Sequence, residues 1–571
     1  MRRTHVILGI VICLLLAAFW YLWGSGYLAG RKEPASLVAK DVLLFAEQKR
    51  VGELIDGFNA SRLGKSLAAI DIGKAAAGAG LGDEQAAKLG QAVQTAKELA
   101  VNPLVRRFCD DSLSLAFFSG TTEATISHEK RLLPLQVLLI ARPQQKAELL
   151  EALSSAFTTD ISKHTIAYGN REITRFTDAG TTFYATLADG FFLFAFDQPT
   201  LQRALDLTGN DGQSLAELPE YQGLRERYQE PVDFFVFTSP EAIEKELLRG
   251  RQQPAGRMTG LRYSSYGVWR DRERFRDRSV TLVDRQTLPA ANSWVFANPP
   301  QENATLALVP ADVQFYYWSN SLALRVLLEL LKNGDGADAL RYSSLAAGFQ
   351  EITGHAIEEI AASIGDGASL QVRRGAAGSL FPIPAATVFF PVKDRAPVED
   401  AITRGIGSLG LAAREETYRN RSFRAASLGL PGDVEIVYGF LDEYLFLGSN
   451  RQMLEGIIET VDKGNGLKTS ADFAPFASDF AKPGNSVTYV KVAEIIEGIR
   501  EIAALAPALL AMKDGQMAER SQILTDTLLN PLLAGFGMIS AIGTRTYTET
   551  DRIVMESIYT IAPEQQPAGK E

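Results

Sequence analysis

Apolar and polar positions along this chain follow two rhythms. Glu172-Ile173-Thr174-Arg175-Phe176-Thr177 alternates with period two, the pattern of a strand with one face buried. Gln136 to Ala141 and Phe191 to Phe196 are rich in β-branched and aromatic residues over strand-like lengths. Ala188-Asp189-Gly190-Phe191 holds an Asp-Gly pair, which favours a tight hairpin because both central residues take positive φ. Helical stretches lie between the strands. Gln144 to Phe157 spaces Ala147, Leu149, Leu150, Leu153 and Phe157 along one face, and Pro199 to Leu207 starts with a proline at its first turn. Strand pairs are expected at Leu261–Trp269 with Ser279–Asp284, and at Ala541–Thr548 with Ile553–Ile561. Hairpins adjacent in sequence with interspersed helices predict an α+β fold, a mainly antiparallel sheet carrying helices on one face.

One segment has neither rhythm. From Val6 to Trp23 the chain is uncharged and apolar, and it ends in Phe19-Trp20-Tyr21 and Trp23. At about 1.5 Å per residue that run nearly spans a hydrocarbon core, and aromatic rings suit the headgroup region at its end. A cleaved leader is the competing reading, with Gly24-Ser25-Gly26 as its site, but leader cores are usually shorter. An uncleaved anchor is therefore expected, with Arg2-Arg3 inside and the chain beyond about residue 30 exported. Cys109 would then be the one cysteine outside the bilayer, read as a small buried apolar residue.

The remainder reads as a tandem duplication. Val38–Phe45 has a counterpart in Val309–Tyr316, Leu133–Ile140 in Ile383–Phe390, and Tyr168-Gly169-Asn170-Arg171 in Tyr418-Arg419-Asn420-Arg421. Asp189–Phe194 matches Asp442–Leu447, with Leu201 and Leu454 at the same offset beyond them, and Val232–Thr238 pairs with Val487–Val492. Matches in one order at a steady separation mark a repeat too long for a solenoid unit. The expected fold class is α+β, a tandem duplication of two similar lobes, each a mainly antiparallel sheet with helices, preceded by one transmembrane helix. The bounds are 1–30 for cytoplasmic stub and anchor, 36–286 for the first lobe, 287–303 for a linker, 304–562 for the second lobe, and 563–571 for a disordered tail. The second lobe carries an extra helical segment, 501–536, where the first has only Arg249 to Gly256. Its apolar start, including Leu505, Leu509 and Leu510, is expected to pack on the second lobe's core. The alternative is an exposed docking face for a partner or a membrane surface.

Composition narrows the function classes. With Lys+Arg 58 against Asp+Glu 68 the net charge is −10, which argues against general nucleic-acid binding. Two cysteines and four histidines leave little for a disulfide scaffold or a histidine metal site. No His-Glu-x-x-His, phosphate-binding Walker loop, Gly-x-Ser-x-Gly or Cys-x-x-Cys occurs. Gly78-Ala79-Gly80-Leu81-Gly82 reads as linker, lacking the lysine of a phosphate cradle. His355, Glu358 and Glu359 have helical spacing that begins a metal site, but without a second histidine they read as a solvated face. Arg270 to Arg278 reads as a hairpin tip laced with ion pairs. The repeated element supplies the candidate binding or repeat-signature residues Tyr168, Asn170, Arg171, Tyr418, Asn420 and Arg421. Its place between strands, with an asparagine that tolerates left-handed φ, favours an architectural role.

Val309-Pro310-Ala311-Asp312-Val313 opening a lobe, followed by the hairpin Asp442-Glu443-Tyr444-Leu445-Phe446-Leu447-Gly448-Ser449, resembles bacterial exported, membrane-anchored proteins of a domain-of-unknown-function family. Some proteins of this kind accompany bacterial alpha-2-macroglobulins. The resemblance spans most of the exported part, but its motifs are fold-forming, so it transfers no catalytic residue. The expectation is a non-enzymatic envelope protein of the bacterial inner membrane, single-pass, with its bulk periplasmic and a role in binding, scaffolding or assembly. Its partner would be an envelope protein or peptide, with membrane contact through the N-terminal helix, no nucleic acid and no cofactor. Alternatives are a hydrolase whose catalytic residues assemble only in the tertiary fold, and a lipid- or lipoprotein-handling module.

Overall fold

The structure is a computed structural model that describes residues 33–562, apart from much of 81–110 and the segments 127–128, 143–161, 179–180, 209–212, 229–231, 250–257, 272–273, 322–323, 333–335, 376–383 and 431–433. The expected anchor Val6–Trp23, Cys109, the whole Gln144–Phe157 stretch and the 563–571 tail lie outside the described residues. Among the described residues, no helix is long and apolar enough to cross a membrane.

The chain divides into two compact units, one of residues 1–284 and 499–538, the other of 285–498 and 539–571. The first unit's strands are β1 Val42–Lys49, β2 Ser112–Ile126, β3 Glu129–Arg142, β4 Ser162–Tyr168, β5 Arg171–Asp178, β6 Thr181–Ala188, β7 Phe191–Ala195, β8 Phe234–Thr238, β9 Leu261–Asp271 and β10 Arg274–Val283. They pair antiparallel in the order β10-β9-β8-β1-β2-β3-β7-β6-β5-β4. The second unit's strands are β11 Phe315–Ser319, β12 Ala368–Arg373, β13 Ala385–Pro391, β14 Arg414–Tyr418, β15 Arg421–Leu430, β16 Val434–Leu441, β17 Tyr444–Gly448, β18 Ser486–Val490, β19 Ile539–Thr548 and β20 Arg552–Ile561. Their antiparallel order is β20-β19-β18-β11-β12-β13-β17-β16-β15-β14. Position for position, the two orders are the same.

Helices cover both faces of the second unit's sheet, where one covered face was expected. Successive strand side chains point to opposite sides. Phe389 and Phe446 accordingly join Leu454, Ile457 and Ile458 of the Arg451–Lys463 helix in one core. Their neighbours Phe390, Leu445 and Leu447 join Val398 and Ala401 of the Arg395–Ser408 helix in another. The helix after each β6–β7 or β16–β17 hairpin starts with a side-chain cap. Asp197 accepts from the Thr200 amide, and Asn450 from the Gln452 and Met453 amides, which occupies donors that a helix start leaves open. At the Asp-Gly hairpin Asp189 (φ 51°) and Gly190 (φ 88°) both take positive φ, the conformation that pair favours.

Two expected boundaries differ in the structure. The 287–303 linker is built into the second unit: Gln301 and Gly484 exchange backbone hydrogen bonds of 2.8 Å, and Asn303 accepts from the Tyr316 hydroxyl at 2.8 Å. The 501–536 segment, expected on the second lobe's core, belongs wholly to the first unit instead. Its Asn530–Phe536 helix lies on the Arg62–Ala68 helix with Gly535 in the contact, where a Cβ would sit 2.7 Å from Leu63 Cδ1. A Cβ on Gly78 would likewise lie 2.9 Å from Ile523 Cγ2. Glycine at these points lets the helices approach more closely than any side chain permits.

In each unit a glycine faces an aromatic ring across a strand pair. Gly267 of β9 stands opposite Phe235, and Gly543 of β19 opposite Tyr489. A Cβ on Gly267 would lie 2.6 Å from Tyr228 Cε1, and one on Gly543 2.4 Å from Phe476 Cδ1. Phe476 is packed edge-on to Tyr489 with centroids 5.4 Å apart, so the ring has nowhere to retreat. Gly543→Ala is expected to destabilise the protein by about 1–3 kcal/mol, the usual cost of overpacking, read as a lower chemical-denaturation midpoint. An unchanged midpoint would show that the ring moves freely.

Candidate functional site

The repeated Tyr-x-Asn-Arg element forms a clamp in each unit. Tyr168 ends β4 and donates its hydroxyl to both carboxylate oxygens of Asp206, at 2.8 and 3.0 Å, at the end of the Gln198–Asp206 helix. Tyr418 ends β14 and donates to Glu459 at 2.7 Å, on the Arg451–Lys463 helix. The arginine beyond each turn reaches the aspartate of the next hairpin: Arg171 lies 3.6 Å from Asp189, and Arg421 lies 3.8 Å from Asp442 and 3.5 Å from Asp462. Each clamp thus ties two hairpins and a helix together. The asparagines differ between the units. Arg419 (φ 48°) and Asn420 (φ 62°) both take left-handed φ, whereas in the first unit only Gly169 (φ 59°) does. A turn with glycine at its first central position leaves Asn170 in an ordinary conformation.

Charge is densest around the second clamp. Lys463 lies 2.6 Å from Glu459, and Arg419 lies 3.8 Å from it. The Lys463 ammonium, then the Tyr418 hydroxyl, hold the Glu459 carboxyl down at about 2. The Asp206 carboxylate raises the Tyr168 phenol above its ordinary value. The clamp's tyrosine, arginines, lysine and carboxylates face one another within the same chain, an arrangement that fixes geometry.

The apolar candidates lie on the Val492–Ala511 helix. Leu505 is 43% exposed and Leu509 47%, while Leu510 is half-buried. Exposed Ile499, Ile502 and Met512 extend the same line. The spacing of 499, 502, 505 and 509 keeps one face of the helix, and Met512 lies just past its end. Ile496 and Ala503 are buried on the other side. This is the longest run of exposed large apolar side chains on any described helix.

The remaining sequence candidates are dispersed. His355 meets Glu359 but not Glu358, which accepts instead from the Tyr342 hydroxyl. Its second partner, Asp400, is 45 positions away and was not legible in local spacing. Among the described residues, no group of three or more His, Cys, Asp or Glu is arranged to hold a metal ion. His164 lies exposed on β4 opposite Arg175, and His128 is outside the described residues. The tip of the Arg270–Arg278 hairpin, expected to be solvated, lies at 272–273 outside the described residues, but one arm of the hairpin is partly buried. Phe275 and Asp277 are buried, Tyr266 donates to Asp277 at 3.1 Å, and the Arg278 guanidinium lies over the Trp269 ring.

Comparison with known proteins adds little. No protein family matches the chain, and no curated protein does. Two solved structures align with it, crystal forms III and I of TP0453, each 11% identical. Form III covers 47% of this chain and 85% of its own at a TM-score of 0.26; form I covers 45% and 80% at 0.23. Scores of that size establish no shared fold.

The second clamp yields a titration test. Because the Glu459 carboxyl is depressed from its ordinary 4.5, its contribution to stability is present above 4.5 and is lost as pH falls through about 2. Carboxyl-detected NMR is expected to place its midpoint near 2 in the native chain and higher in Tyr418→Phe, which removes one of its hydrogen-bond donors. A midpoint unmoved by that change would remove the tyrosine from the clamp.

Proposed function

We propose that this chain is a membrane-anchored envelope protein with a binding or scaffolding role, built from two lobes that arose by tandem duplication. The observation that carries the binding role is the exposed line Ile499, Ile502, Leu505 and Leu509 on the Val492–Ala511 helix, continued by Met512 just past its end. A contiguous apolar surface left open to water is costly, and such surfaces characteristically mark interaction sites. The anchor is the Val6–Trp23 run, which places the chain at the inner membrane with its bulk outside the cytoplasm. Duplication is supported by the common strand order of the two units and by their matched tyrosine–carboxylate clamps.

Catalysis finds less support. Both ring nitrogens of His355 face carboxylates, so neither is left to take a proton from a hydroxyl, as a hydrolase would require. Lipid or lipoprotein handling draws on the same apolar line. The helix also carries Glu494, Glu497 and Glu501 against Arg500, a balance that does not favour anionic headgroups.

Photo-crosslinking from position 505 of the full chain in intact envelopes separates the readings. A discrete protein or peptide adduct, at least tenfold weaker with Ile502→Glu, is expected. Adducts to lipid alone would favour the lipid-handling alternative, and no adduct at all would overturn binding through this face. Release of the chain by an alkaline carbonate wash would overturn the anchor independently.

A further inference from the structure

His355 lies in the short connection between the Gly336–Thr353 and Ile357–Ser363 helices, just beyond Gly354, whose φ of 76° turns the chain. Its side chain is only 19% exposed. Nδ1 is 3.2 Å from Glu359 Oε2, one turn further on, and Nε2 is 2.8 Å from Asp400 Oδ2 on the Arg395–Ser408 helix. An ionised carboxylate only accepts hydrogen bonds, whereas a neutral imidazole has one N–H and one bare lone pair. Both contacts are therefore hydrogen bonds only when both ring nitrogens carry protons. A neutral ring would hold one contact and turn a lone pair on the other carboxylate.

The charges around the ring are asymmetric. Asp400 also accepts from Arg404 Nε at 2.8 Å, so it keeps a partner if the imidazole discharges. The Arg404 guanidinium in turn lies beside Gly354, its Nη1 2.8 Å from where a Cβ would stand. Glu358 is held by Tyr342 of the Gly336–Thr353 helix and lies 4.0 Å from Lys332, while Glu399 lies 3.3 Å from Arg424. Glu359 alone depends on the ring among these carboxylates. The joined helices bury Ile360, Val398 and Ala401 together against Leu445 of β17.

We propose that His355 is a pH-operated clasp, closing the Ile357–Ser363 helix onto the Arg395–Ser408 helix while its ring is charged and loosening that contact when the ring discharges. The proposal is independent of the binding role argued above. Asp400 and then Glu359, by hydrogen bonding, raise the imidazole above its ordinary 6.5. The sign follows from linkage. A raised pKa contributes stability that is fully present below 6.5 and is lost as pH rises through the folded value. A surface exposed to a varying external medium meets that range, in which histidine is the side chain suited to switch.

The test uses the full chain and follows amide hydrogen exchange in 357–363, corrected for intrinsic pH dependence, from about pH 5 to about pH 9. Protection is expected to fall at least threefold across the His355 midpoint, which NMR of the ring protons is expected to place above 6.5. In His355→Gln protection should be low and flat with pH. Should that variant fail to fold, Asp400→Asn supplies the second reading, since Arg404 remains and the ring midpoint should fall towards 6.5. Native protection unchanged across the range, or a native midpoint at or below 6.5, would overturn the clasp.

Discussion

Each unit depends on a strand that is hydrogen-bonded along both edges and packed on both faces. In the first unit this is β1, between β2 and β8; in the second it is β11, between β12 and β18. A strand in that position cannot slip, because a one-residue shift would turn every side chain to the opposite face. Phe45 and Tyr316, both fully buried, show how tightly these strands are held. The other strands extend outward from them in the same sequence on each side, and the helices fill the two faces.

Backbone proximity is managed at few points. Gly267 and Gly543 make room for a ring across a strand pair, and Gly78 and Gly535 make room where helices meet. The second of these arrangements has a topological consequence. The chain leaves the second unit after Gly498, contributes helices to the first, and returns at Ile539. The exposed apolar line of the Val492–Ala511 helix lies on this excursion. Its buried side, marked by Ile496 and Ala503, faces protein, and its open side faces solvent.

Polar groups inside the units mostly serve position. The tyrosine–carboxylate clamps and the Asn298–Asn320–Asn485 network, whose links run from 2.7 to 3.2 Å, hold hairpins and the former linker segment in register. Buried polar groups are inexpensive only when paired, as Asn320 and Asn485 are within the chain, whereas the clamps pair nearer the surface. His355 differs because its pairing changes with its own charge state, so a structural contact there also responds to pH.

Hydrophobic alternation and turn chemistry in the sequence determined much of the strand content. The Asp189-Gly190 turn, the Glu172–Thr177 alternation and the closing strand pairs all follow from local backbone preference, which needs only neighbours in the chain. Matched segments raised the expectation of a repeat, while the strand order common to the two units is set by the pairing itself. What local pattern could not reach was long-range pairing. That Asp400 answers His355, that Glu459 answers Tyr418, and that the 501–536 segment packs with the first unit are decided by surfaces meeting in space. Which apolar face of a helix stays open is likewise settled by what packs beside it: Leu505 and Leu509 have the character of core residues in sequence and become surface because, among the described residues, no neighbouring element covers them.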